Sequence, residues 1–401
     1  MRVLLLTHSY GPEVTAPQRR WAAFIGEFRR RGWACDVVTP VAHPDLAPAS
    51  VSRARRGTVI GDERGSHGER IRRVPLIRHT EARLSKLASN LISAVLMVPR
   101  ALTAPRPDVV VVTVPALPNI AAGYAVARLR RTRLVVDMRD AWPDLARDAQ
   151  IVKSARPGLM ERVLTFVQRR ADLVVTVTEG FADVLRQRGA RRVETVYNGF
   201  PAEQLPAPVP SREPFDAPLR VLYLGNHGES QGLEKLIDAA RLAGDAVRLR
   251  FVGNGARKTE LEEYARRVGA DVDFQPPSHG DETLAHYAWA DTCVVSLRDD
   301  WPSFEWTIPS KTYELLAIGK HITAVVRGEA ARLLAATGAA DVVDPDPATI
   351  AAVWKDLAER PARLSVPPAG RAWVAENCDL RRLGRRYAEL IETVTRGTPA
   401  P

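Results

Sequence analysis

The sequence predicts an α/β protein made of two doubly wound parallel sheets, and three observations carry that expectation. Apolar runs of four to seven residues alternate with helical segments through both halves of the chain, as strands buried on both faces do. Residues 201–218 hold six prolines and little periodicity, which marks an interdomain linker. The length, 401 residues, suffices for two separate cores.

In chain order, Val3–Thr7 is an apolar run, followed by a Gly-Pro loop and a helix from about Gln18 to Arg31 that Gly32 ends. Ala34–Thr39 is the next strand. Asp108–Val114, Arg133–Met138 and Leu173–Thr178 follow, with helical segments between them. Residues 53–73 are polar and rich in glycine and arginine, and read as a mobile loop or an irregular excursion. After the linker a second series begins, with strands at Leu219–Leu224, Val247–Val252, Val272–Gln275, Thr292–Leu297, His321–Val326 and Ala340–Val343. Its helices fall near Gly232–Leu242, Lys258–Val268, Asp281–Tyr287 and Lys311–Ile318. A basic amphipathic region, about Gly370 to Val394, is broken near Asn377–Asp379. The predicted organisation is a Rossmann-like domain over 1–200, the linker 201–218, a second such domain over 219–375, and a helix and tail over 376–401 that returns to the first domain. Ligands of such sheets bind outside the carboxyl ends of the strands.

Composition narrows the partners. Hydrophobic content of 45% and charged content of 26% are those of an ordinary soluble protein. No run reaches the length of a transmembrane helix, and the chain enters a strand at once, so a cytoplasmic location is expected. Cys35, Cys293 and Cys378 are odd in number and far apart, and read as buried free thiols. A net charge of +10 points to anionic lipid or a phosphorylated substrate. Nucleic acid is not expected, because the basic residues lack aromatic interleaving and any binding module. Leu84–Leu102 is an apolar helical stretch bounded by Arg78, Arg83, Lys86, Arg100 and Arg106. It is too short and interrupted to span a bilayer; it fits either a core helix or a helix lying on an anionic membrane surface.

The chemistry gathers at Pro309-Ser310-Lys311-Thr312-Tyr313-Glu314, which opens a helix closed by Gly319. A helix start presents unpaired N–H groups and a positive dipole end, a cradle for a diphosphate. Lys311 adds a cation there, where the dipole disfavours one unless an anion is bound. Glu314, a turn further on, is placed to accept hydrogen bonds from a diol. Two glycine-containing loops follow strands at the same edge: Gly225-Asn226-His227-Gly228-Glu229-Ser230-Gln231-Gly232 and Gly253-Asn254-Gly255. Glycines there either let amides approach an anion or simply permit tight turns.

These segments resemble the retaining GT-B glycosyltransferases of family 4, within them the branch that builds bacterial surface polysaccharides and adds fucose or N-acetylfucosamine-type sugars. The resemblance rests on GNHGESQGL at 225–233, FVGNGARKTELE at 251–262, PSKTYELLAIGK at 309–320 and GEAARLL at 328–334. In the first half it rests on HSYGPEVTAPQRR at 8–20, DMRDAWPD at 137–144 and YNG at 197–199. It implies two domains facing a cleft, transfer with retained anomeric configuration, and no metal or other cofactor beyond a UDP- or GDP-linked sugar co-substrate. By the same resemblance, Glu314 holds the donor ribose, Lys311 and Ser310 the diphosphate, and Gln275 to Pro277 the nucleobase. Gly225, Asn226, Gln231, Gly253 and Asn254 line the donor, Gly11 approaches phosphate and acceptor, and Arg139 and Asp140 face the reacting sugar.

Three positions depart from the family pattern. The slot of the family's first glutamate is Trp306, with Glu305 one residue away and able to take its part after a one-residue shift. The basic pair after the first strand of the second half is absent, with His227 and Gln231 in that loop. No histidine stands near Pro115. Asp344-Pro345-Asp346 and Asp299-Asp300 read as loop acids rather than metal ligands. The expected acceptor is a glycan, polyprenyl-linked, at the inner face of the plasma membrane. Two alternatives stay open: a soluble small-molecule acceptor, and a non-catalytic nucleotide-sugar-binding subunit.

Overall fold

The structure, a computed structural model, describes residues 1–13, 15–42, 61–75, 83–114, 117–141, 144–149, 158–200, 207–210 and 218–397, with the backbone alone at 16 and 83–88. It divides into two compact units, Met1–Ala202 with Asp379–Pro401, and Glu203–Cys378.

Unit 1 is built on one sheet. Strands β1 (Arg2–Leu6), β2 (Ala34–Pro40), β4 (Arg70–Val74), β5 (Val109–Thr113), β6 (Arg133–Met138), β7 (Leu173–Thr176) and β8 (Val193–Thr195) are parallel, and β3 (Asp62–Arg64) is antiparallel at one edge. The order is β3-β4-β2-β1-β5-β6-β7-β8, which reverses direction at β1. Helices α1 (Ala16–Arg30) and α14 (Leu380–Thr395) cover the face that carries Val3, Leu5, Val109 and Val111, where Trp21, Phe24 and Phe28 meet Tyr387. Helices α2 (Arg83–Leu102), α3 (Pro118–Arg130) and α5 (Leu159–Arg170) lie side by side on the other face. Gly123 brings the α3 backbone onto that face, since a Cβ there would stand 2.7 Å from Val112. The short helix α4 (Asp144–Asp148) and helix α6 (Glu179–Gln187) complete the unit.

The loop expected at 53–73 is corrected: Asp62–Arg64 and Arg70–Val74 form β3 and β4 with a turn between them, and 53–60 lie outside the described residues. Pairing explains how arginines enter a sheet. Arg72 is buried against Asp36 of β2 at 3.0 Å and also reaches Asp62 of β3 at 3.3 Å. Arg73 pairs with Glu63 and donates to Pro40 O at 3.1 Å. A buried charge so matched does not demand solvent.

Unit 2 holds six parallel strands in the order β11-β10-β9-β12-β13-β14. They are β9 (Leu219–Leu224), β10 (Val247–Val252), β11 (Val272–Gln275), β12 (Thr292–Ser296), β13 (His321–Val325) and β14 (Ala340–Val342). The chain reverses direction between β9 and β12. Helices α7 (Glu234–Ala243), α8 (Lys258–Val268), α9 (Asp281–Trp289), α10 (Ser310–Ile318), α11 (Gly328–Thr337), α12 (Pro347–Glu359) and α13 (Ala369–Asn377) surround it. The last three lie in stretches where no helix was read, apart from the α13 region. Asp346 of the Asp-Pro-Asp turn caps α12, accepting from the Thr349 N–H at 2.8 Å. Of the linker, 207–210 is tied to unit 2: Val209 N–H donates to Ile318 O at 2.9 Å, and the buried Lys320 ammonium to Pro210 O and Ala290 O at 2.9 and 2.8 Å. Its other residues, except Pro218, lie outside the described set. All three cysteines are buried and free.

Candidate functional site

At the carboxyl edge of the unit 2 sheet, the loops after β9, β10 and β11 are stitched to one another. Gly225 N–H donates to Val252 O at 3.0 Å, His227 N–H to Asn254 O at 2.8 Å, and Gly253 N–H to Gln275 O at 3.2 Å. Gly228 N–H donates to the Gln231 side chain at 3.2 Å, and Asn226 O accepts from the Tyr223 hydroxyl at 2.8 Å. Several of the amides expected to face an anion are thus engaged within the loops. The glycines serve close packing: a Cβ on Gly253, whose φ is 144°, would lie 2.0 Å from Gly225 O, and one on Gly255 2.4 Å from His227 O. The Lys258 ammonium sits under this edge, donating to Gly253 O at 3.2 Å and Gln275 O at 3.3 Å. Pro277 is exposed just beyond.

His227 does not supply the missing positive charge. Its ring is fully buried beside Tyr223, Phe251 and Phe274, and neither nitrogen has a partner among the described residues. Burial, reinforced by Lys258, pushes its pKa down to about 4, so the ring is neutral at physiological pH. Cations do flank this loop, from elsewhere in the chain. Lys235 and Arg298 both come within 3.3 Å of where a Gly232 Cβ would stand, but Lys235 pairs with Asp299 and Arg298 with Glu229 and Asp300.

Helix α10 opens at the same edge behind Pro309, with no side chain capping it. Within it the structure joins Lys311 and Glu314 directly. The ammonium donates to Glu314 Oε2 at 2.8 Å and to the Tyr287 hydroxyl at 3.0 Å, while that hydroxyl donates to Glu314 Oε1 at 2.7 Å. Tyr287, from the buried side of α9, escaped the sequence reading. Burial and the Glu314 carboxylate drive its hydroxyl pKa far up, so it remains a donor. Glu305 lies apart from this set, exposed on a turn at 302–306, and lines a shallow depression with Arg298, Asp299 and Arg327. Gly328 packs against its backbone.

In unit 1, Arg139 and Asp140 follow β6. The Arg139 Nε is buried without a partner among the described residues, and burial with nearby Arg20 lowers its pKa. Surrounding protein raises the Asp140 carboxyl, partly offset by Arg139. Beneath them Arg20 is a fastener: it donates to Val196 O at 3.0 Å and Tyr197 O at 2.5 Å and meets Asp137 at 3.4 Å. Gly11 borders a cavity of about 520 Å³ with Tyr10, Gln18, Glu63, Glu69 and Arg73. Within it Glu69 accepts from the Tyr10 hydroxyl at 2.7 Å and the His67 N–H at 2.9 Å, while Arg73 holds Glu63 and Gly11 O.

Two Rossmann-like units of this kind define the GT-B class of fold. The chain superposes over 99% of its length on all of sucrose-phosphate synthase from Thermosynechococcus elongatus, with a TM-score of 0.73 and 16% identity. It superposes over 98% on all of Anabaena Alr3699/HepE, solved in complex with UDP, with a TM-score of 0.69 and 16% identity. At the sequence level, residues 15–199 match the family model described as a glycosyl transferase 4-like domain. The chain is also 26% identical over 243 residues to WcaI of Escherichia coli K12, named as a glycosyl transferase of colanic acid biosynthesis. That match covers 56% of this chain and 58% of WcaI, so it spans little more than half of the relative.

Proposed function

We propose that the protein is a glycosyltransferase that moves a sugar from a nucleoside diphosphate donor, held on unit 2, to a glycan acceptor. The observation that carries this reading is the Tyr287–Lys311–Glu314 set at the start of α10, an ammonium and a carboxylate at a helix N-terminus on a carboxyl sheet edge. The match of 15–199 to a glycosyl transferase 4-like domain supports it, as does the fold shared with proteins solved with UDP.

With donor bound, a diphosphate takes the Lys311 ammonium from Glu314, and the freed carboxylate accepts from the ribose diol. As the glycosidic bond breaks, negative charge grows on the leaving diphosphate, where Lys311 and the α10 dipole stabilise it. Arg139 and Asp140 serve the sugar, and Glu305 takes the place of the family's first glutamate. Retention of configuration, independence of a metal, a fucosyl-type donor sugar and a polyprenyl-linked acceptor at the inner membrane face complete the reading. Its support is the resemblance in sequence and, for the polysaccharide acceptor, the relative from colanic acid biosynthesis.

The test is incubation with radiolabelled UDP- and GDP-sugars and lipid extracts, with and without chelator. Label entering a lipid-soluble glycan unaffected by chelator supports the reading. Release of label only into water-soluble small glycosides favours a soluble acceptor. Binding without any turnover leaves a nucleotide-sugar-binding subunit.

A further inference from the structure

Helix α2 turns part of its apolar surface away from the core. Ser89, Ser93, Ala94, Met97 and Ala101 are buried, and the Ser93 hydroxyl has no partner among the described residues. Leu91, Ile92 and Val95, which share one helical face, are exposed instead. The adjacent helices of the same layer also expose Leu129 of α3 and Leu159 and Phe166 of α5. These six side chains are 40% to 80% exposed, and the described part of unit 1 has no other exposed large hydrophobic residue. A core helix that buries two serines while turning leucine, isoleucine and valine to the outside is poorly explained by folding alone.

The same layer ends in positive charge. At the amino edge of the sheet, where α3 and α5 finish, an open groove is lined by Arg106, Arg128, Arg131, Arg133, Arg170 and Arg396. Its two acids are already engaged: Asp108 accepts from the Arg2 N–H at 2.7 Å, and Asp172 from Arg133 at 2.8 Å and the Leu134 N–H at 2.9 Å. Arg106, Arg128 and Arg131 are exposed and form no ion pair among the described residues. Arginines near a helix C-terminus complement its dipole, but Arg106 belongs to no helix.

We propose that the α2–α3–α5 layer docks on an anionic phospholipid bilayer, with Leu91, Ile92, Val95, Leu129 and Phe166 entering the acyl boundary and the arginine groove holding headgroup phosphates. Charge complementarity selects this occupant: an apolar face spread over three helices and bordered by unpaired arginines matches a negatively charged lipid surface. The docking surface gives the membrane location in the proposed function a place on the fold, yet stands on unit 1 alone.

Flotation with phosphatidylglycerol-containing and pure phosphatidylcholine vesicles, at low and high salt, tests it with the full chain. Wild type should float only with the anionic vesicles at low salt. The triple change Arg106→Glu, Arg128→Glu, Arg131→Glu should weaken binding at least about tenfold. An equal change of charge on unit 2, at the exposed Arg248, Arg266 and Arg332, should weaken it far less. Leu91→Ser with Val95→Ser should lower binding while leaving the circular dichroism melt in place, since both positions are exposed. Failure of wild type to float with anionic vesicles at low salt overturns the proposal. So does equal loss from the two arginine triples, or a soluble dimer that Leu91→Ser with Val95→Ser splits. A UDP- or GDP-induced rise in melting temperature is read separately, so loss of flotation with that rise intact leaves the donor reading standing.

Discussion

Glu314 is held from two sides, by the Tyr287 hydroxyl and the Lys311 ammonium, and the strength of that hold sets what single substitutions should do. Glu314→Ala should weaken donor binding roughly ten- to a hundredfold, the loss of a charge-assisted pair worth about 1.5–3 kcal/mol. Isothermal titration with the preferred nucleotide checks it; unchanged affinity would remove the ribose assignment. Tyr287→Phe should raise donor KM by roughly three- to tenfold with kcat nearly constant, since it removes one neutral donor and no charge. Tyr287 is not legible in the sequence because its partner lies 27 residues away on another helix, and a buried tyrosine usually means only packing. Lys311 and Glu314 were legible because three residues on one helix bring them together. His227 invites a different measurement. Its folded pKa lies near 4 and its unfolded value near 6.5, so in that window the unfolded chain binds more protons. Stability should therefore be complete above about pH 6.5 and fall by roughly 1–3 kcal/mol as pH drops to 4. His227→Phe, which keeps the aromatic packing, should flatten the slope of urea stability against pH.

At the scale of elements, two glycines in the candidate site part ways. Gly253→Ala should cost at least about 2 kcal/mol, because the new Cβ collides with Gly225 O on a backbone that favours glycine. Gly11→Ala meets nothing nearer than the Gln18 amide at 3.8 Å. Its stability by urea unfolding should stay within about 0.5 kcal/mol of wild type, so lost activity there would report ligand approach rather than folding. Buried parallel strands such as Val109–Thr113 and Leu219–Leu224 were plain in the sequence, because apolar residues dominate each run. Strand β4 was not, because Arg-Ile-Arg-Arg-Val reads as solvated until Asp36 and Glu63 are known to stand opposite. Charge pairing across strands is invisible to periodicity.

For the whole molecule, the donor reading predicts that a nucleotide at 100 times its Kd adds about 2.7 kcal/mol to the unit it binds. For a unit the size of 203–378 that is a rise of roughly 5–10 °C, and calorimetry against UDP and GDP separately would identify the base. Absence of a shift with either would count against a nucleotide site on unit 2. Truncation before Asp379 should leave unit 1 insoluble, since it strips Leu380, Leu383, Tyr387 and Ile391 from the core over Trp21 and Phe24. That last helix also sets an order of events during synthesis. The ribosome needs roughly 10–35 s to make residues 203–378 at 5–20 residues per second. Through that interval the first unit waits with the aromatic face of α1 uncovered, while the uninterrupted second unit can already close. In the cell, the half of the protein made first is the half finished last, and that waiting interval is when a chaperone has most to protect.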